Sequence, residues 1–185
     1  MKTRVSIVTG ASSGIGRAIA EQFLSKGYAV IGNARSRDRL TDLEAWSKEA
    51  PGTFIPVTGD ITDENTVTTL LDVCRNKFDV LPCIGVVNAG RGLSGSFTSS
   101  DPSKWEEMIN LNILGAFRQF RMLAEAMTSN DAQDTDAPPP VTLWLLGLPL
   151  GPMFLLPILF MAQRSLPFMG QQKRLDESWV RLAYV

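Results

Sequence analysis

A glycine-rich stretch near the start of the chain carries the residues best suited to binding a charged ligand. It runs from Thr9 to Gly16 and reads Thr-Gly-Ala-Ser-Ser-Gly-Ile-Gly. Glycines at this spacing permit a tight turn and a close approach of the backbone to a phosphate, and a helix N-terminus attracts the anion. A plain glycine turn is the alternative. The residues predicted to hold the diphosphate of a dinucleotide are Gly10, Ser12, Ser13, Gly14, Ile15 and Gly16.

This stretch lies where a strand pattern gives way to a helical pattern. An apolar run at 4–8 precedes it, and a helical segment at 14–26 follows it and ends near Gly27. Further strands are predicted at 28–33, 53–57 and 81–87, and further helices at 38–50 and from Thr62 or Asp63 to about Lys77. Strands that alternate with helices indicate an α/β fold with a doubly wound parallel sheet.

Three short polar segments each follow a predicted strand. Residues 33–37 read Asn-Ala-Arg-Ser-Arg, residues 59–61 read Gly-Asp-Ile, and residues 88–90 read Asn-Ala-Gly. Because ligands of such sheets bind at the carboxyl ends of the strands, all three segments are expected to face one cleft with the glycine-rich stretch. The second and third segments also have a plainer interpretation, with Asp60 as a helix cap and Asn-Ala-Gly as a simple turn.

The pattern Thr-Gly-x-x-x-Gly-x-Gly, with these three segments in order, resembles the short-chain dehydrogenase/reductase family from residue 3 to about residue 127. The resemblance implies a Rossmann-like fold, a nicotinamide dinucleotide and hydride transfer between that cofactor and a small carbonyl or alcohol substrate. It also implies a role for each later segment. The residues concerned are Asp60 and Ile61, which would bracket the adenine, and Asn88, Ala89 and Gly90, which would line the cofactor cleft.

The end of the second predicted strand bears on the choice of cofactor. Enzymes that use NAD usually carry an acidic residue there for the ribose 2′-hydroxyl, whereas a nearby arginine accommodates the 2′-phosphate of NADP. Ala34 stands at the acidic position, and Arg35 follows it. A guanidinium matches a phosphate in charge and geometry, so NADP is favoured over NAD. The alternative is that Arg35 and Arg37 are ordinary solvated charges.

A long helix is predicted from residue 102 to about residue 127. Asp101 is a good N-cap residue, and Pro102 suits the first helical position. The family resemblance implies a catalytic asparagine on this helix, which helps to hold a water in a proton relay. Asn112 fits the family spacing better than Asn110, and a purely structural asparagine is the alternative.

The family pattern breaks in the last third of the chain. The family's chemistry requires a serine after the fifth strand and, about 13 residues later, Tyr-x-x-x-Lys, in which the tyrosine is the general acid/base and the lysine lowers its pKa. The tyrosines among the 185 residues are Tyr28 and Tyr184, and neither begins such a motif. This sequence therefore lacks the tyrosine and lysine of the family.

The residues after the long helix change in character. A polar linker that ends in three prolines occupies 128–140, and an uncharged run extends over 141–161, of which 141–146 suits a fifth strand. The run is long enough for a membrane span, but its three prolines and two glycines would break a helix repeatedly, so a span is disfavoured. We predict a dinucleotide-binding domain at 1–140 and an aberrant tail at 141–185, which leaves the C-terminal part of the fold incomplete.

A shift of reading frame is our hypothesis for this tail. Joining the third base of each codon to the first two of the next permits Tyr-Gly-Ala-Thr-Lys from Phe160 onwards, and its glycine is forced by the codons of Met161 and Ala162. The junction of Gly147 and Leu148 permits serine or threonine thirteen positions upstream, which is the family's interval between serine and tyrosine. On this hypothesis the parent gene encodes a complete reductase, and this chain keeps its cofactor half.

Composition argues against several other classes of function. Eighteen basic and nineteen acidic residues give a net charge of −1, so no nucleic-acid partner is expected. The absence of histidine removes Ser-His-Asp, Cys-His and histidine-rich metal sites, and no metal is expected. Cys74 and Cys83 lack CxxC spacing and are expected to be reduced rather than disulfide-bonded. No signal peptide precedes the first strand, which favours a cytoplasmic location.

Two functions stay open on the sequence. The first is an NAD(P)-dependent oxidoreductase of the short-chain type, and the second is a catalytically silent NADP-binding fragment without the Tyr-x-x-x-Lys pair. The segments that usually shape the substrate site fall in the altered region, so no particular substrate is predicted. A homo-oligomer is a further expectation, because the family often pairs through the helix that carries Asn112.

Overall fold

The computed structural model describes residues 3–93 and 97–128, and beyond them the backbone of short strands at 142–145, 148–149 and 155–156. The strands are β1 Val5–Thr9, β2 Ala29–Ala34, β3 Thr53–Thr58, β4 Ile84–Val87, β5 Thr142–Leu145, β6 Leu148–Pro149 and β7 Leu155–Leu156. The helices are α1 Gly14–Ser25, α2 Asp38–Ser47, α3 Glu64–Phe78, α4 Pro102–Ile109 and α5 Ala116–Thr128, with a π-helical segment, Asn110–Gly115, between the last two and a 3₁₀ turn at Phe97–Ser99.

Five strands form a parallel sheet in the order β3-β2-β1-β4-β5. In this register Ser6 of β1 lies between Val30 of β2 and Ile84 of β4. Parallel neighbours need crossover connections, which the helices provide. The predicted parallel α/β sheet is confirmed, as is the predicted fifth strand, since β5 pairs with β4. The short strands β6 and β7 form a separate antiparallel pair.

Helices cover both faces of this sheet. Every residue of β1 and β2 is buried, which is typical of strands that are covered on both sides. One apolar cluster joins Val8 to Phe23 of α1 and Leu40 of α2, and the other joins Ile7 to Leu70 of α3. Successive strand residues point to opposite faces, so Ile7 and Val8 belong to different layers. These layers hold the carboxyl ends of the strands in fixed positions.

Several helix ends follow the predicted signals. Gly27 ends α1 with a φ of 79°, a conformation that favours glycine. Asp63 caps α3 and Asp101 caps α4, and each carboxylate accepts a hydrogen bond at 2.9 Å from the backbone N–H two residues further on. Pro102 occupies the first turn of α4, where its missing N–H costs nothing. These termini confirm the predicted caps.

Strand β4 and helix α2 are each shorter than predicted by three residues at one end. Strand β4 begins at Ile84 rather than at residue 81, because Pro82 has no N–H to donate and the first bond to β1 comes from Cys83, whose N–H donates to the carbonyl of Val5 at 2.9 Å. Helix α2 ends at Ser47 rather than at residue 50. The next three N–H groups bond to carbonyls three residues back, so the chain leaves the helix through a tighter turn.

Much of the C-terminal third lies outside the described residues. This applies to most of the linker at 128–140, to most of the apolar run at 141–161 and to the residues on which the frame-shift hypothesis depends. The division of the chain at residue 140 stays a prediction, and β5, beyond that boundary, belongs to the sheet. Within 3–93 and 97–128, no helix combines the length and the hydropathy that crossing a bilayer requires.

Both cysteines are buried free thiols, and we expect them to be chemically inert in the native chain. Burial raises the pKa of the Cys74 thiol from its ordinary value of 9.0 to about 12 and also raises the pKa of Cys83. Iodoacetamide at pH 8 should label neither thiol until denaturant is added. Because unfolding lowers the pKa of Cys74, the free energy of unfolding should fall as the pH rises from 9 towards 12. Rapid labelling of the native chain would contradict this expectation.

Candidate cofactor-binding site

The hydroxyl of Thr9 ties the end of β1 to the loop that follows β4. It accepts hydrogen bonds from the backbone N–H groups of Asn88 and Ala89, both at 3.1 Å, and donates to the carbonyl of Val86 at 3.4 Å. Thr9 is fully buried, so water cannot replace these partners. The loop after β4 is therefore held firmly against β1.

The side chain of Asn88 ties the same loop to the glycine-rich turn. Its Nδ2 donates to the carbonyls of Thr9 at 3.0 Å and Gly10 at 3.3 Å. A Cβ atom on Gly10 would lie 2.9 Å from the Cα of Ala89, and a Cβ on Gly16 would overlap both the Gly10 carbonyl and the Asn88 amide. Gly10 also has a φ of 68°. Glycine is therefore required at both positions for the turn, helix and loop to meet.

The turn leads into α1 with its N-terminus open to solvent. Ser13 is the N-cap residue and makes no side-chain cap hydrogen bond. Ser13, Gly14 and Ile15 are exposed, and Ser12 is half-buried. The first N–H groups of a helix lack partners within the helix, and the positive end of its dipole favours an anion. This edge of the sheet therefore offers backbone N–H groups and hydroxyls to a phosphate.

Asp60 follows β3 at the same edge of the sheet. Its Oδ1 accepts hydrogen bonds from the backbone N–H of Thr62 at 2.9 Å and from the Thr62 hydroxyl at 2.7 Å. These bonds, with a smaller contribution from the Arg35 guanidinium, hold the pKa of Asp60 below its usual value. The carboxylate is thus ionised at neutral pH and forms a turn, whereas the cap of α3 is Asp63.

The other residues predicted for the adenosine end differ in exposure. Ile61 is 4% exposed and packs in the core beside α3, so it can offer a ligand little side-chain surface. Arg35 is exposed and makes no salt bridge with any residue in 3–93 or 97–128. Arg37, two residues further on, is instead paired with Glu44 at 2.6 Å. Of these two arginines, Arg35 is thus the one whose guanidinium is available to a ligand.

The helix predicted from residue 102 to about residue 127 contains a π-helical segment in its middle. Helix α4 ends at Ile109, residues Asn110–Gly115 form the π turn, and α5 resumes at Ala116. The predicted helix is confirmed in its extent, since residues 102–128 are helical throughout, but its middle is π-helical rather than α-helical. A π turn accommodates one extra residue and is frequent at functional sites, but it leaves no clear mark on the spacing of apolar residues.

Asn112 lies within this π segment and faces the loop after β4. Its Oδ1 accepts a hydrogen bond from the backbone N–H of Arg91 at 3.0 Å, and its Nδ2 donates to the Arg91 carbonyl at 2.8 Å. Asn112 is 2% exposed, whereas Asn110, at the start of the same segment, is exposed to solvent. The Asn112 amide thus fixes the loop directly after Asn88, Ala89 and Gly90. Gly90 itself is exposed.

Three residues of this edge were given no individual role in the sequence analysis, although two of them belong to segments expected at the cleft. They are Thr9, Asn33 and Arg91. Thr9 and Asn33 are polar residues in strands that are otherwise almost wholly apolar, and that contrast is a signal which the sequence does contain. Arg91 carries no such signal. Its guanidinium reaches Glu107 of α4 at 2.7 Å, and its buried Nε has no hydrogen-bond partner among the described residues.

Replacing Thr9 with valine tests the junction between β1 and β4. The change keeps the shape but leaves the N–H groups of Asn88 and Ala89 without their buried acceptor, so the free energy of unfolding should fall by about 2 kcal/mol in urea titrations. Thr68→Val is the control, because that exposed hydroxyl donates to the carbonyl of Glu64 within its own helix, and the effect of the change should stay within about 0.5 kcal/mol. Equal losses in the two variants would contradict this account.

Known proteins resemble the chain in sequence and in structure. Residues 4–134 match the family model described as short chain dehydrogenase. Dehydrogenase/reductase SDR family member 11 of Bos taurus is 32% identical over 135 residues, which cover 72% of this chain and 52% of that protein. L-Sorbose reductase from Gluconobacter frateurii, solved in complex with NADPH and L-sorbose, is 31% identical with a TM-score of 0.60 over 69% of this chain and 48% of the other.

A second solved structure gives the same result. An alcohol dehydrogenase from the archaeon Thermococcus sibiricus, complexed with 5-hydroxy-NADP, is 28% identical with a TM-score of 0.61 over 68% of this chain and 54% of the other. The chain thus spans about half the length of the curated relatives that it matches. Because the family model accounts for most of the chain and the fold agrees with that of its solved members, the chain belongs to the short-chain dehydrogenase family.

Proposed function

We propose that the chain binds NADP at the carboxyl edge of the sheet and forms the cofactor half of an oxidoreductase. That oxidoreductase transfers hydride between the nicotinamide and a small carbonyl or alcohol substrate. The junction of Thr9, Gly10 and Asn88 carries the proposal, because it fixes a glycine turn and an open helix N-terminus at the edge where such sheets bind nucleotides. Membership of the family supports it.

Each predicted residue has a place in this proposal. The diphosphate contacts the turn and the first residues of α1, and the 2′-phosphate contacts Arg35. The adenine lies near Asp60 and the backbone of Ile61, since the Ile61 side chain is buried. The full set proposed to contact the cofactor is Gly10, Ser12, Ser13, Gly14, Ile15, Gly16, Arg35, Asp60, Ile61, Asn88, Ala89 and Gly90.

The preference for NADP over NAD rests on Arg35. Its guanidinium is exposed, whereas the acidic residue that would bind a ribose 2′-hydroxyl is replaced by Ala34, which is buried. The two solved relatives described above were complexed with NADPH and with 5-hydroxy-NADP, which supports the same preference. Arginine binds phosphate through charge-assisted hydrogen bonds, so its contribution is specific to the phosphorylated cofactor.

Asn112 is the member of the family's catalytic set that we propose for this chain, with a role in the proton relay. The relay also needs a tyrosine and a lysine, and no Tyr-x-x-x-Lys occurs within the 185 residues. That observation favours a second candidate function, a catalytically silent NADP-binding fragment. The frame-shift hypothesis predicts that the nucleotide sequence encodes Tyr-x-x-x-Lys in the alternative frame near codon 160, and its absence there would refute the hypothesis.

We also propose a cytoplasmic homo-oligomer. Ile109, Leu114 and Phe117 are large apolar side chains exposed on α4, the π segment and α5, and each keeps about half of its surface in solvent. Exposed apolar side chains on neighbouring turns are typical of an interface. Members of the family often pair through this helix, which agrees with the position of these exposed side chains. Analytical ultracentrifugation of the purified chain would measure its oligomeric state.

Calorimetric titration of the purified chain tests the proposed function. NADPH should bind more tightly than NADH, and ATP, which lacks the nicotinamide and the 2′-phosphate, should bind least. Incubation with NADPH and a panel of aldehydes and ketones then separates the two candidates, because turnover supports the oxidoreductase and binding without turnover supports the silent fragment. If neither coenzyme binds, both candidates fail.

A further inference from the structure

Asn33 is a buried polar residue near the carboxyl end of β2. It is 2% exposed, and its neighbours on both strand faces belong to the apolar core. Its Nδ2 donates to the carbonyls of Val57 and Gly59, both at 3.2 Å. Burying an amide is unfavourable unless it finds such partners, and an apolar side chain would fill the strand without that cost. The contribution of Asn33 therefore lies in the groups that it holds.

The groups held by Asn33 lie where β3 leaves the sheet. Asn33 is paired with Val57 in the strand register, so its bond to the Val57 carbonyl stays within the ladder. Its bond to the Gly59 carbonyl extends the connection beyond Thr58, where β3 ends. The N–H of Gly59 donates to the carbonyl of Ala34 at 3.1 Å, so Gly59 is held through both its backbone groups.

The backbone of Asn33 also reaches the glycine-rich turn. Its carbonyl accepts a hydrogen bond at 2.9 Å from the N–H of Ala11, the residue that follows Gly10. One residue thus touches the turn through its backbone and the end of β3 through its side chain. Arg35 stands two residues after Asn33, and Asp60 directly follows Gly59.

We infer that Asn33 is a positioning residue for the adenosine half of the cofactor, which fixes Arg35 and Asp60 relative to the glycine-rich turn. The inference rests on the proposed function, since it assumes that this edge binds NADP. Asn33 does not itself contact the ligand in this account. It acts through Gly59 and through its own backbone. Removing its side chain should therefore weaken contacts to the adenosine and leave the structure at the opposite end of the sheet unchanged.

Binding of two ligands to Asn33→Ala provides the test. Calorimetry measures the dissociation constants of NADPH and of adenosine 2′,5′-bisphosphate, which carries the adenine and the 2′-phosphate without the nicotinamide. Asn33→Ala should raise the dissociation constants of both ligands by the same factor of about 10, which is about the net contribution of one hydrogen bond. Ser6→Ala is the matched control, because Ser6 is a buried polar residue on β1 at the opposite end of the strands.

The outcomes separate this inference from the proposed function. If the wild-type chain does not bind NADPH, the proposed function fails. If the wild-type chain binds and a folded Asn33→Ala variant keeps both affinities within twofold, or loses affinity for NADPH alone, the inference is overturned. Ser6→Ala should change neither affinity, and an equal loss there would also overturn it. If Asn33→Ala melts below the assay temperature, Asn33→Ser replaces it in the test. The serine hydroxyl is a single, shorter hydrogen-bond donor, and unchanged affinities in this variant would overturn the inference.

Discussion

Replacing Gly16 with alanine should reduce NADPH affinity by more than about 100-fold, because the start of α1 would be displaced from the diphosphate by the order of an ångström. The added methyl group would overlap the Gly10 carbonyl and the Asn88 amide. That amide is held by hydrogen bonds to two carbonyls and cannot move aside freely. Overpacking should also lower the free energy of unfolding by about 3 kcal/mol. Calorimetry and thermal unfolding measure the two effects.

Gly27→Ala is the control for this variant. Gly27 has a φ of 79° at the other end of α1, and a Cβ there would have no atom within 4 Å. The substitution should therefore cost about 1–2 kcal/mol of stability through backbone strain alone. NADPH affinity should not change. If Gly16→Ala binds NADPH within threefold of wild type, the close contact of turn and loop is not required for binding.

Replacing Arg35 with alanine should lower the affinity for NADPH by about 30-fold and leave the affinity for NADH within about twofold. The guanidinium is exposed without a salt bridge to any described residue, so its charge is free for the 2′-phosphate that NADH lacks. Fluorescence titration of both reduced coenzymes measures the ratio. An equal loss for the two coenzymes would contradict a role in recognising the 2′-phosphate.

Arg37→Ala provides the matched charge control. Arg37 lies two residues away, is also exposed to solvent and carries the same charge, but it is paired with Glu44. Removing it should change the affinity for NADPH by less than about threefold, since its guanidinium is already paired and an exposed charge is screened by salt. If both arginine variants lose affinity alike, the preference reflects the general field of this edge rather than a specific contact.

The sequence was sufficient where short-range rules decide the structure. The glycine spacing after an apolar strand, the caps at Asp63 and Asp101 and the end of α1 at Gly27 depend on residues only a few positions apart. The parallel sheet follows from the alternation of strands and helices, which is again visible along the chain. Such features need no knowledge of which segments meet in space.

The features that were missed depend on partners far apart in the chain. Thr9 meets Asn88 across 79 positions, and Asn33 meets Val57 across 24, so neither pairing can be deduced from spacing. The late start of β4 depends on Pro82, whose missing N–H matters only once the register with β1 is known. The π turn carries Asn112, whose amide hydrogen-bonds to the backbone of Arg91 across 21 positions. The one visible sign of these pairings in the sequence is that Thr9 and Asn33 are polar residues inside apolar strands.

The π segment couples the position of Asn112 to the orientation of α5. Each residue of an α-helix advances about 100° around the axis, so the additional residue in the wide turn rotates everything that follows by that angle. Leu123 and Met127 consequently point into the sheet, while Phe117 points outwards. Deleting one residue between 110 and 115 would therefore change both the contact of Asn112 with the loop and the side of α5 that is buried. An insertion or deletion in this segment cannot change one of these without the other.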